Sequence, residues 1–206
     1  MAGIRFTMPG QAQPGATAGA APVQTGAALA KGRARPGGLR PAASGMHLAE
    51  FNIGVLRHDW DDPRVADFAD NIDRVNGVAR RSPGFVWMLG DDEMEAAQTD
   101  GEGVLGGNPR TASTLSVWTD AGSLGDFVFN TVHKLFYRRG PEWFEEQTGP
   151  RFVMWYVAPG TRPTIEEAKA RIDHYGAHGD SDHAFGWSYL NMGAGYRWHP
   201  CTEDAA

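Results

Sequence analysis

Apolar and polar positions alternate from His47 to Val55. Ala49, Phe51, Ile53 and Val55 share one face, and Leu48, Glu50, Asn52 and Gly54 the other, which predicts a β-strand. The two polar groups on the second face mark a place for water or a ligand. From Val65 the period changes to that of a helix: Val65, Phe68, Ala69, Ile72, Val75 and Ala79 form an amphipathic stripe ending near Arg81. Asp62 is placed to cap this helix, with Pro63 at its first position, and Ser82-Pro-Gly84 ends it. Phe85 to Leu89 reads as a short second strand. Residues 90–110, acidic and then glycine-rich, are expected to be a loop. Their Gly101–Gly107 run has no lysine and no following helix, so it is not a phosphate loop.

Thr111 to Thr119 predicts a third strand, with Ala112, Thr114, Ser116 and Trp118 on one face. A single helix is expected next, with two apolar stripes: Leu124, Phe127, Val128, Thr131 and Leu135 on one, and Phe129, Val132, His133 and Phe136 on the other. Gly140-Pro141 should stop it, and Glu142 to Glu146 forms a further turn. Arg151 to Ala158 is the most apolar strand and is expected at the centre of the sheet. Thr164 caps a last helix, Ile165 to His178, with Glu167 at the capping-box position.

The order strand-helix-strand-strand-helix-strand, with an extra C-terminal helix, predicts an α+β, ferredoxin-like β-α-β-β-α-β antiparallel sheet. Its domain spans residues 46–178, between a disordered extension (1–45) and an irregular tail (179–206). One sheet face, with Asn52, Trp87 and Trp118 among its candidates, is expected to be bare in a monomer, which points to a homodimer joined through that face.

Composition narrows the function. Residues 1–45 carry five basic groups and no acid, whereas the remainder has 14 basic and 25 acidic residues, a balance of −11 that disfavours nucleic acid. No window is apolar enough to span a membrane. The single cysteine, Cys201, excludes an internal disulfide, and a cytoplasmic location is expected. Seven tryptophans and ten phenylalanines suit a cavity for a small hydrophobic or aromatic ligand.

His133 lies in the second stripe of the long helix, with Arg138 and Arg139 beyond it. A titratable ring in an aromatic wall with guanidinium groups at its rim is a candidate site. Core packing for His133 and Trp118, and a solvated helix end for the arginines, are the plain alternatives. Asp173, His174, His178, Asp180, Asp182 and His183 cluster near the last helix end; His174 and His178, at i and i+4, could share a metal on one helix face, and solvated side chains are the plainer reading. No Gly-x-Ser-x-Gly elbow is present.

Asp61-Asp-Pro-Arg64, Arg81-Ser-Pro-Gly-Phe-Val-Trp87, Ser116-Val-Trp118, His133 with Arg138-Arg139 and Glu142-Trp-Phe144, and Pro163-Thr-Ile-Glu-Glu-Ala168 together resemble a bacterial family of uncharacterised domains. That family lies in the dimeric α+β barrel superfamily, and the resemblance covers about residues 46–187. It implies the barrel and the dimer. The stretch from His133 to Trp143 is also similar to spheroidene monooxygenases, which use haem. Haem-degrading monooxygenases of the same superfamily place an asparagine, a tryptophan and a histidine where Asn52, Trp118 and His133 stand here. The resemblance therefore implies a monooxygenase-like oxidoreductase. His133 would ligate haem iron, Arg138 or Arg139 would pair with a propionate, Trp143 would lie beside the cofactor, and Asn52 and Trp118 would shape the pocket. A cofactor-free version has Asn52 and Trp118 holding an oxidisable aromatic substrate while His133 removes a proton. A barrel that binds a small ligand or haem without turnover is the non-enzymatic alternative.

Overall fold

The structure, a computed structural model, describes residues 45–190. The expectations for the N-terminal extension and for the tail beyond Leu190 lie outside the described residues. Strand β1 (His47–Val55) has the predicted bounds, and its alternation decides everything around it. It pairs antiparallel with β3 (Thr111–Trp118) on one side and with β4 (Phe152–Val157) on the other, while β2 (Phe85–Met88) adds to β3. The strand order is therefore β2-β3-β1-β4, antiparallel throughout. Strand β4 lies at the edge of the sheet and not at its centre. It is apolar because both its faces are covered, and its outer backbone is met by Phe185, which exchanges two hydrogen bonds with Met154 at 2.7 and 2.9 Å.

Helices cover both faces of the sheet. Ala49 and Phe51 of β1, Leu115 and Val117 of β3, and Val153, Trp155 and Val157 of β4 pack against Met94 of α3 (Asp91–Thr99) and Ile165, Ala168 and Ile172 of α6 (Ile165–His178). Each such aliphatic side chain removed from water contributes about 1.5–3 kcal/mol. The opposite face, with Leu48, Trp118 and Met154, packs against Ala79 of α2 (Ile72–Arg81) and against Leu124, Phe127, Val128 and Phe129 of α4 (Ala121–Asn130). Trp118 is 1% exposed, so the sheet face expected to be bare is covered among the described residues. Trp87 does not share that face: an irregularity after Phe85 sets Trp87 beside Val117 on the other side.

Three further expectations are corrected. Residues 90–110 contain helix α3, because Met94 is buried on the sheet and Asp91, Asp92 and Glu93 favour the positive end of the helix dipole. The first amphipathic stretch is two helices, α1 (Ala66–Ala69) and α2, and Asp62 holds the turn before them through the backbone and guanidinium of Arg64. The long helix also breaks. Thr131 turns extended (φ −117°, ψ −171°), donates from its hydroxyl to the Phe127 carbonyl at 2.6 Å, and accepts from the backbone N–H of His133 at 3.2 Å. That break starts α5 (His133–Trp143) on a new phase, which explains why Leu135 is 60% exposed although it continues the earlier stripe. Gly140-Pro141 does not stop α5, which runs on through Pro141 to Trp143, the Phe144 N–H closing its end on the Gly140 carbonyl at 2.9 Å. A short helix α7 (Trp187–Leu190) follows α6, whose predicted bounds hold, with Thr164 accepting from Glu167 N at 3.2 Å.

Candidate functional site

The register of β1 with β3 sets Glu50 opposite Ser116 and Asn52 opposite Thr114, all on the face beneath α2 and α4. Strand periodicity puts each pair on one face, the register brings the two pairs into one patch, and hydrogen bonds connect them. Asn52 donates from Nδ2 to Glu50 Oε1 at 2.7 Å and to Thr114 Oγ1 at 2.6 Å. Ser116 Oγ donates to Glu50 Oε2 at 2.9 Å and accepts from the Trp118 indole N–H at 3.0 Å. Glu50 is 4% exposed. Burial disfavours its charge and raises its pKa to about 7, against the opposing pull of the Asn52 and Ser116 hydrogen bonds. Near neutral pH this carboxyl can therefore either release or take up a proton.

Aromatic side chains surround the patch. Trp118 stacks on Phe127 with centroids 5.3 Å apart and meets Phe85 edge-on at 5.4 Å. Phe152, paired with Asn52 across β1 and β4, stacks on Trp187 at 5.6 Å, and Trp187 in turn meets Phe129. At the far end Gly54 is required by a close approach: a Cβ there would lie 2.7 Å from the Phe144 ring.

The predicted residues separate into two groups. Asn52 and Trp118 come together through Glu50 and Ser116. His133 joins them only through Phe127, whose ring lies 4.9 Å from the imidazole. The half-buried His133 has Nδ1 3.2 Å from the Val128 carbonyl, and burial lowers its pKa despite that contact, so the ring is neutral near pH 7. Arg138, Arg139 and Trp143 lie elsewhere. Arg139 sits six residues along α5 from His133, about 9 Å along the axis. It donates to Glu142 and Asp67 at 3.0 Å each, and its guanidinium lies 4.6 Å above the Trp143 ring. Trp143 is buried with Leu56 and Val65, and Phe68, Phe136 and Phe144 pack against that cluster. Arg138 is exposed. Glu50, Thr114 and Ser116 are the members of the site that motif reasoning passed over. The signal for them was the polar rows on β1 and β3. Among the described residues, no group of three His, Cys, Asp or Glu side chains is placed to hold a metal ion.

An antiparallel sheet clad by helices on both faces, with a carboxyl buried among hydroxyl, amide and indole groups, defines an α+β protein with a polar cluster buried on its sheet. The chain belongs to the family described as domain of unknown function DUF3291, whose model matches residues 47–196. No curated protein matches it at a significant level. Among solved structures, the chain is matched to the crystal structure of NE2512, a protein of unknown function from Nitrosomonas europaea. Identity is 12% and the TM-score 0.38, over 58% of this chain and 97% of that one. No described helix is long and apolar enough to cross a membrane.

Proposed function

We propose that the Glu50 cluster is a proton-transfer site acting on a small aromatic or hydrophobic molecule held between the sheet and α4. The observation that carries this reading is the buried Glu50 carboxyl, held between two donors and brought to half-ionisation near neutral pH. Glu50, and not His133, is the base closest to Asn52 and Trp118. The free lone pair of Asn52 Oδ1 and the hydroxyl proton of Thr114 are available to orient a substrate. The resemblance to monooxygenases adds the reaction class. Glu50 takes a proton from an activated CH2 group, the carbanion adds dioxygen, and loss of water leaves a carbonyl. One CH2 and one O2 thus give one C=O and one H2O.

Haem does not fit this arrangement. The ring of Phe127 packs against His133, and Arg139, one of the two arginines expected to pair with a propionate, is held instead by Glu142 and Asp67. The cavity against that helix, about 190 Å3, is smaller than the roughly 300–1,000 Å3 that encloses a drug-sized ligand, and His133 does not line it. A homodimer, as the resemblance implies, would join through helical surfaces, since both sheet faces are covered.

Oxygen uptake with a panel of polyphenols and anthrone-type substrates tests the proposal. Turnover should rise with pH about a midpoint near 7 and fall at least 100-fold in Glu50→Gln. Equal rates in the variant and the wild type would refute Glu50 as the base.

A further inference from the structure

A second site lies between α2 and α5. Its cavity of about 190 Å3 is lined by Arg74, Val132, Leu135, Phe136, Arg139 and Trp143, none of which belongs to the Glu50 cluster. Four of these six side chains are apolar. Leu135 is 60% exposed here, a branched aliphatic group left in water at the cavity edge. Phe136 and Trp143 face each other with centroids 5.7 Å apart and planes inclined by 32°.

The two guanidinium groups differ. Arg139 is committed: Glu142 and Asp67 neutralise it, and it lies flat over Trp143 as part of the wall. The Arg74 side chain, by contrast, makes no ion pair or hydrogen bond among the described residues, although Asp73 precedes it and Asp70 lies one turn back. A cavity with apolar walls and one uncommitted guanidinium matches an apolar molecule with a single negative charge. The planar fork of arginine suits a carboxylate better than a rounder anion. The aromatic walls favour a ring over an aliphatic chain.

We infer that this cavity binds a small aromatic monocarboxylate, its ring against Leu135, Phe136 and Trp143 and its carboxylate on Arg74. The inference stands on this cavity alone and does not need Glu50 to transfer a proton.

Titration of the full chain with benzoate, phenylacetate and benzyl alcohol, followed by heteronuclear NMR, tests it. Both acids should saturate with dissociation constants of roughly 10 μM to 1 mM, and the alcohol should bind at least about ten-fold more weakly. Arg74→Gln should weaken the acids about ten-fold or more while leaving the melting curve in place, since Arg74 is exposed. Arg74→Lys, which keeps the charge, should bind more tightly than Arg74→Gln. Glu50→Gln should leave acid binding unchanged, which separates this site from the proton-transfer site. Absence of saturable binding by both acids would overturn the inference. So would equal affinity for the alcohol, or unchanged affinity in Arg74→Gln.

Discussion

Glu50→Gln should make the protein more resistant to unfolding at alkaline pH, which is unusual for removal of a hydrogen-bonded carboxylate. The folded state raises the Glu50 pKa from 4.5 to about 7. Between those two values the folded chain therefore binds more protons at this position than the unfolded chain. Stability associated with Glu50 is accordingly highest below pH 4.5, declines as pH rises, and is fully lost above about 7. A displacement of about 2.5 pKa units at about 1.4 kcal/mol each corresponds to roughly 3 kcal/mol between the two limits. Glutamine keeps the shape, still accepts from Asn52, and can donate to Ser116, whose hydroxyl rotates. Other titrating groups, His133 included, cancel in the difference between the two proteins. Urea unfolding of both at pH 5, 6, 7 and 8 gives that difference directly. Over that range it should move in favour of glutamine by roughly 2.5 kcal/mol, most steeply between pH 5 and 7. A difference independent of pH over that range would show that Glu50 is ionised with an ordinary pKa, and the proton-transfer reading would lose its basis.

Other variants probe the surroundings. Ser116→Ala removes a donor to Glu50 and the acceptor of the Trp118 indole. It should move the Glu50 titration above 7, as read by carbon-13 NMR of the labelled carboxyl, and cost about 1–3 kcal/mol in urea unfolding. His133→Gln should leave the Glu50 midpoint in place and shift the melting temperature by only a few degrees. A displaced midpoint would place His133 in direct electrostatic contact with the carboxyl. Met94→Ala should cost roughly 2–5 kcal/mol and expose the α3 amides to hydrogen exchange, because Met94 is the buried anchor of that helix. Unchanged exchange would mean that α3 stands on its own backbone.

Much of the architecture is legible along the chain because its signals are local. The alternation in β1 and β3, and the cap and stripe of α6, are matters of neighbours two to four residues apart, and the bounds of β1 and α6 follow directly. The faces of β1 and β3 were equally readable, down to the rows holding Glu50 with Asn52 and Thr114 with Ser116 and Trp118. What periodicity cannot supply is which row meets which. Glu50 and Ser116 stand 66 positions apart with no mark of their register, and only strand pairing turns two polar rows into one buried cluster with a displaced pKa. The break at Thr131 illustrates the same limit. Periodicity continues through it, so Leu135 reads as core, yet one extended residue rotates α5 and leaves Leu135 in water beside Arg74. The number of sheet faces covered is likewise a tertiary fact. An acidic segment with one methionine folds as α3 because Met94 buries on the apolar sheet beneath it, while α2 and α4 cover the face that the sequence alone would leave bare. Local chemistry thus determined the elements and their two-sidedness, while the pairing of those sides, which depends on long-range contacts without a local signature, decided where the carboxyl and the free arginine stand.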